Sequence, residues 1–464
     1  MPQEAADIRA HLEIDGKQIP IDVKYSSKYS LLVRFLNSNR FRDGEEFSKL
    51  VCQVNKDPFE LGPCKLIAEP NIDGYAGRLI CVNDIYDLEN LLLKNEIVKL
   101  QSAFHNLPLV LAHKSKIKKV FRDYTADLTY DLSVYKNLFD GIDSEYKEET
   151  KIIKNSIQKA LINTEGENLM GFLDEKLAEL ENIVGGFNKK EHEHHGFYFR
   201  KQLWNYILCS PFMARTNLKP RGYPGDSEMM RMLYANNYQG DSTFAKIMHK
   251  HPMKHPAAQA VRNRRNLITK LLVNLKKKYK PQPKNPINIL SVACGPAFEI
   301  QDILQSDQDC GRYHFTLLDQ DRHALFEAAQ LITQVENSLE TRISATYLNE
   351  SVRTMLSTVQ LEKKWGRFDY IYSMGLFDYL TPPVAKAVLV KLYQLLKTGG
   401  EMVIGNFHVS NSSKYYMEYW LDWVLYYRTE DEFMDLMRDI STADVAVSFE
   451  DTKSQMFLHV TKLG

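Results

Sequence analysis

The sequence has no long apolar run, no paired cysteines and no excess of charge of one sign. A membrane-spanning helix needs about 20 predominantly apolar residues, and no run here reaches that length, so no integral membrane segment is expected. The six cysteines (Cys52, Cys64, Cys81, Cys209, Cys294, Cys310) are scattered through 464 residues without a C-x-x-C pair. That excludes a disulfide framework or a local zinc site and fits a reducing compartment. Glu191-His192-Glu193-His194-His195 lacks separated ligand pairs and reads as a solvated helix start, so no metal is expected. Lys plus Arg equals Asp plus Glu at 59 each, which removes the basic field that nucleic-acid binding relies on. Met1 to Asp7 carries acids where a signal peptide needs a basic and then an apolar region, and a cytoplasmic protein is the expectation.

Four regions are predicted. Residues 1–85 form a small β domain, with alternating runs around an Asp15-Gly16 hairpin turn and further strands at Ile19–Val23 and Ser30–Phe35. Residues 86–215 are helical, with Leu88, Leu91, Leu92, Ile97 and Leu100 on one face. Residues 216–286 hold a Gly/Pro-rich loop that would cap a substrate site, then a linker helix with a solvated basic end at Lys276–Lys280. Residues 287–464 alternate apolar strands with helical patterns, the signature of an α/β domain with a parallel sheet.

The chemistry lies in this last region. Ile287–Val292 is a nearly continuous apolar run that leads into Ala293-Cys294-Gly295-Pro296-Ala297 and then a helix. A buried strand thereby delivers the chain to a turn where Gly295 permits close approach of a ligand and the helix start offers free N–H groups. The next strand, Tyr313–Leu318, ends in Asp319, about twenty residues beyond the turn, where an acid can accept the ribose hydroxyls of an adenosine ligand. Phe368–Ser373 reads as another strand and Pro383–Leu396 as a helix; Lys397–Gly400 is a break before the strand Glu401–Gly405.

This order resembles the class I S-adenosylmethionine-dependent methyltransferases, a Rossmann-like α/β fold, over about the last 180 residues. The resemblance implies S-adenosylmethionine as cofactor. Ala293, Gly295 and Ala297 would line its methionine and ribose, Asp319 would hold the ribose, Asn349, Glu350 and Ser351 would lie near adenine, and Ser373 and Met374 would close the site. A nicotinamide dehydrogenase begins in the same way but needs G-x-G-x-x-G, and the turn offers only Gly295.

Lys219–Asp226 and Ala257–Arg265 resemble a bacterial methyltransferase subgroup that includes enzymes forming 3-hydroxy fatty acid methyl esters. That likeness implies Tyr223 and Asp226 on a loop over the active site and Arg262 or Arg265 against a carboxylate. The aromatic stretch Lys414–Arg428 follows the fifth strand, where a pocket is expected. Its Tyr419, Tyr426 and Tyr427 are substrate-binding candidates, although aromatics at helical spacing also describe a packed core. The N-terminal strands are faintly similar to a PilZ-type barrel, with Arg34, Arg40 and Arg42 at the basic positions. Neither of that family's motifs is intact, which favours a docking or dimerising module.

The expected activity is methylation of a small molecule or acyl carboxylate. A carboxylate acceptor is already ionised at neutral pH and needs an anchor, whereas a hydroxyl or amine needs a base such as His408 or His249. A ligand-binding regulatory protein on the same fold, without turnover, is the alternative. A small molecule is the expected partner, and a homodimer through the N-terminal or helical region stays open.

Overall fold

The computed structural model describes residues 9–27, 30–36, 42–54, 57–72, 75–82, 113–279, 285–440 and 442–463. The expected helical face from Leu88 to Leu100, the boundary at residue 85 and Arg40 lie outside the described residues. The chain divides into two compact units, Met1–Lys116 and Ile117–Gly464.

Among the described residues the first unit contains eight strands: β1 (Arg9–Ile14), β2 (Lys17–Ser27), β3 (Ser30–Phe35), β4 (Glu46–Phe47), β5 (Lys49–Val54), β6 (Asp57–Glu60), β7 (Cys64–Ile72) and β8 (Tyr75–Cys81). They form one sheet in the order β4-β7-β8-β3-β2-β1-β5-β6, with antiparallel pairing throughout. Asp15 and Gly16 both take positive φ (48° and 72°), the two-residue turn whose twist suits a hairpin, and Ile14 pairs with Lys17 across it. Ala10, Leu12, Ile19, Ile21 and Val33 turn inward. Arg34 is ion-paired with Asp22.

In the second unit the chain from Lys119 to Tyr279 is mainly helical. Its long helices are Lys119–Glu145, Lys151–Asn163, Glu165–Val184, Lys189–Gln202, Thr243–Lys254 and Pro256–Tyr279. There follow β9 (Ile287–Val292), β10 (Tyr313–Asp319), β11 (Ser344–Asn349), β12 (Phe368–Ser373), β13 (Leu396–Phe407), β14 (Ala443–Phe449) and β15 (Gln455–Lys462). The sheet order is β11-β10-β9-β12-β13-β15-β14, with β9 to β13 parallel and β15 antiparallel to both its neighbours. Central strands β9, β10 and β12 are covered on both faces, which is why they read as continuous apolar runs. Strand order reverses between β9 and β12, and a crevice at the carboxyl ends of strands is expected at such a point.

Two expectations are revised. The break at Lys397–Gly400 is absorbed into β13, where Gly399 (φ 76°) accompanies a register shift opposite Phe368–Tyr370. The helix Pro256–Tyr279 is a shared core element rather than a linker. Its first turns (Ala257, Ala260, Val261) pack in the helical core and its later ones (Ile268, Leu272, Leu275) under the sheet. The aromatic segment after β13 returns to the same helical core: Tyr419 and Trp420 pack against Phe199 with ring centroids 6.0 and 5.2 Å apart, and Tyr419 lies 5.8 Å from Phe121. The helix Lys189–Gln202 begins with a capping box between Asn188 and Glu191, but its histidines are not all solvated. His195 is buried between Phe121 and Phe187 and takes up the Lys118 N–H on Nε2 (3.0 Å).

A chain starting at Ile117 is therefore expected to fold, while one starting near Arg215 is not. The latter exposes Tyr419, Trp420 and their neighbours, at about 1.5–3 kcal/mol per large side chain. Near-ultraviolet circular dichroism of the two fragments distinguishes them, and a fixed aromatic signal from the shorter one would contradict the shared core.

Candidate functional site

At the end of β9 the backbone turns through three left-handed residues, Ala293 (φ 53°), Gly295 (φ 55°) and Ala297 (φ 50°). Each alanine costs on the order of 1 kcal/mol in that conformation, so the surroundings must impose the turn. They do so through hydrogen bonds. The Cys294 N–H donates to Leu318 O (3.1 Å) and the Ala297 N–H to Cys294 O (3.2 Å). The Gly295 N–H donates to Asp319 Oδ2 (3.0 Å), and the Asp321 N–H to Asp319 Oδ1 (2.9 Å). Asp319 thus joins the two strand ends. Burial pushes its carboxyl pKa up, and the N–H groups of Asp321, Gly295 and Gln320 oppose that shift. A Cβ built on Gly295 meets nothing within 4 Å, because the turn faces open space.

That space is a cavity of about 280 Å³, near the lower end for small-molecule sites. Its lining includes the turn, Asp319, Gln320 and Glu350–Val352, with Gly225, Arg264, Asp378, Tyr379 and Trp423. Tyr223 also lines it, and its hydroxyl donates to Asp321 Oδ2 (3.4 Å) at the Asp319 end. The buried Arg264 donates to Met374 O (2.8 Å) and contacts Met230 Sδ (3.3 Å). Asp378 is buried, accepts the Phe407 N–H (2.6 Å), and is pushed up to about 6 by desolvation against the pull of Arg264 and Arg428. Arg428 fixes the Asp378 loop by donating to Phe377 O (2.9 Å) and Leu380 O (2.6 Å). Tyr379 Oη accepts from Trp423 Nε1 (2.8 Å). Tyr372 Oη donates to Glu299 Oε1 (2.6 Å), and burial raises both groups' pKa values. Arg265 forms a fork with Asp302 (2.7 and 2.8 Å) and stacks between Tyr234 and Phe298.

Ala293, Gly295, Ala297, Asp319, Glu350, Ser351 and Met374 line this cavity together with Tyr223 and Arg265. Ser373 lies beneath the floor, where it donates to Val292 O (2.9 Å). Asn349 donates to Asp319 O and Gln320 O (3.1 and 3.0 Å) and braces the loop from behind. Asp226 faces away from the cavity: it is paired with Arg215 (2.7–2.9 Å) and caps the helix Ser227–Ala235 through the Met229 N–H. Arg262 holds the helix junction by donating to Met253 O (2.9 Å) and Leu233 O (3.3 Å).

His408 follows the cavity-lining Phe407, and strand alternation turns it outward, where it bonds Ser410 Oγ (2.7 Å). His249 is buried in the helical region, accepts the Phe212 N–H (3.2 Å) and is pushed down to about 4 by burial. Tyr419 and Tyr427 belong to the helical core, where Tyr419 Oη meets His192 Nδ1 (3.0 Å), and Tyr426 is exposed.

Sequence reasoning missed Arg264, Asp378, Tyr379 and Trp423. Helical spacing held the signal for the first: Val261, Arg264, Arg265 and Ile268 share one face, and Arg262 lies off it. Asp378 and Tyr379 sit directly after β12, at the carboxyl end of a central strand, a position that favours site residues.

No protein-family model and no curated protein matches the chain. Solved structures with similar folds include S-adenosylmethionine-dependent methyltransferases at low identity. Magnesium protoporphyrin IX methyltransferase from Synechocystis PCC 6803, with bound S-adenosylmethionine, is 11% identical (TM-score 0.32) over 44% of this chain and 83% of that one. The N-methyltransferase NodS from Bradyrhizobium japonicum WM9, in complex with S-adenosylhomocysteine, is 12% identical (TM-score 0.31) over 44% and 87%. A possible exported protein from Bordetella parapertussis is 14% identical (TM-score 0.41) over 64% and 97%.

Ala293→Gly is expected to leave stability unchanged or raise it by up to about 1 kcal/mol, because relief of the left-handed strain opposes the added chain entropy; urea denaturation measures this. Asp378 ionises at higher pH in the folded than in the unfolded chain. Its contribution is therefore fully present below about pH 4 and is lost as pH rises through about 6. Asp378→Asn removes that loss, so the variant should gain on wild type by about 2–3 kcal/mol between pH 4 and pH 7. A difference that stays constant with pH would show that Asp378 is not desolvated.

Proposed function

We propose that the chain is an S-adenosylmethionine-dependent methyltransferase acting on a small molecule or acyl carboxylate. The observation that carries this reading is the left-handed turn Ala293–Ala297 hydrogen-bonded to Asp319 at the reversal point of the sheet. The residues fit the cofactor. Gly295 lines the cavity with open space where a Cβ would stand, and Asp319, also in the lining, retains acceptor capacity for a ribose hydroxyl. Ala293, Gly295 and Ala297 would hold the methionine and ribose, with Glu350 and Ser351 toward the adenine. When bound, the sulfonium supplies an activated methyl group.

The protein's own task is alignment and exclusion of water. Tyr379 and Trp423 shield the acceptor side, Tyr223 covers the Asp319 end, and Arg264 offers a buried positive charge on the acceptor side. Among the described residues no histidine lines the cavity, which favours an acceptor that needs no deprotonation at neutral pH. Arg264 replaces Arg262 as the anchoring arginine in this reading, and His408 has no part in it.

Asp319→Asn is expected to weaken S-adenosylmethionine binding by about 1–3 kcal/mol in a folded protein, as measured by calorimetry. Unchanged affinity would remove the assignment. Incubation with labelled S-adenosylmethionine and a metabolite extract, followed by mass spectrometry, identifies the acceptor. With that acceptor, Arg264→Lys should raise KM at least tenfold while cofactor affinity holds, and the rate should be flat above about pH 7. A kcat that climbs with pH there would point to a hydroxyl or amine instead.

A further inference from the structure

Away from the cavity, three side chains distant in sequence converge in the helical region. Asp174 comes from the helix Glu165–Val184, His251 from the last turn of Thr243–Lys254, and His255 from the junction that follows. His255 is extended (φ −75°, ψ 154°) because Pro256 disfavours a helical conformation in the residue before it. The break turns its imidazole toward that of His251, with ring centroids 4.7 Å apart. His251 Nε2 lies 3.0 Å from Asp174 Oδ1, and His255 Nε2 lies 3.4 Å from both Asp174 Oδ1 and His251 Nε2.

We propose that Asp174, His251 and His255 form a binding site for a zinc-class divalent cation. Ligands about 2.0–2.2 Å from a tetrahedral zinc stand about 3.3–3.5 Å from one another, and this triangle is already close to that size. Burial lowers the pKa of both imidazoles, that of His255 to about 4. His251 Nδ1 is held by Tyr416 Oη at 2.6 Å, the kind of outer contact that orients a metal-bound imidazole. Access is from the Asp174 side, where that side chain is 61% exposed while His251 is 2% exposed. The nearby Lys254 is paired with Glu167 (2.9 Å), which offsets its repulsion of a cation. His255 and Tyr416 also bound a small apolar recess with Val261, Phe407 and Trp423, and these last three line the main cavity. The ion would therefore brace the helices behind the cavity wall, independently of what the cavity binds.

Protons can satisfy the same three atoms, with both imidazoles donating to one carboxylate oxygen, so the test must read metal directly. Full-length protein without a histidine tag is stripped with chelator, dialysed against micromolar Zn²⁺ and analysed for metal content. One zinc per chain is expected, with at least tenfold weaker binding in His255→Gln and in Asp174→Asn. Asp174 is exposed enough for its variant to fold. Zn²⁺ should raise the thermal midpoint of the wild type and leave both variants unmoved, and Co²⁺ should give the intense visible bands of a tetrahedral site only in the wild type. A wild type that binds no zinc, or variants that bind it equally well, would overturn the assignment.

Discussion

The second unit depends on one helix serving two cores. Pro256–Tyr279 buries its first turns among the helices of the N-terminal part of the unit and its last turns beneath the sheet. Its middle, Arg264 and Arg265, falls between the two cores and lines the cavity with Val261 and Ile268 on either side. The cavity is a consequence of that division. Where packing passes from helix-on-helix to helix-on-sheet, the two surfaces diverge, and the gap opens at the carboxyl ends of β9 and β12, where the strand order reverses.

The floor of the gap is strained and the strain is localised. Two alanines in a left-handed conformation are tolerated because Asp319 accepts backbone N–H groups from the turn and from its own loop. The same carboxylate faces the cavity and is partly desolvated, so one side chain both shapes the turn and presents charge to a ligand. Asp378 repeats the arrangement on the opposite wall, with the Phe407 N–H and two arginines in place of the turn.

What the sequence made legible was local. Strand, turn and acid occur within about thirty residues, and their periodicity and spacing carry the cofactor side of the site. The rest of the cavity lining was not legible, because Tyr223, Arg264, Asp378 and Trp423 come from four separate segments. Arg264 sits between two arginines, Arg262 and Arg265, that were better candidates by motif, and only helical phase separates it from Arg262. His408 looked catalytic from its position after β13, yet alternation along the strand gives the cavity to Phe407 instead. Tyr419 and Trp420 were ambiguous for a different reason. Aromatic spacing identifies a buried face without identifying which body buries it, and their partners Phe121 and Phe199 lie more than two hundred residues upstream. The Asp174, His251 and His255 cluster is invisible to spacing rules, since 77 residues separate the acid from the first histidine.

Gly225 shows how closely the cover segment lies against the cavity wall. A Cβ at this position would come within 2.6 Å of Tyr379 Oη and 3.1 Å of the Trp423 ring. Either the tyrosine–tryptophan hydrogen bond would part or the cover segment would lift from the acceptor wall. The loop from Lys219 to Asp226 can thus vary in sequence at its exposed positions, but at 225 a single methyl group decides whether it can lie against Tyr379 and Trp423.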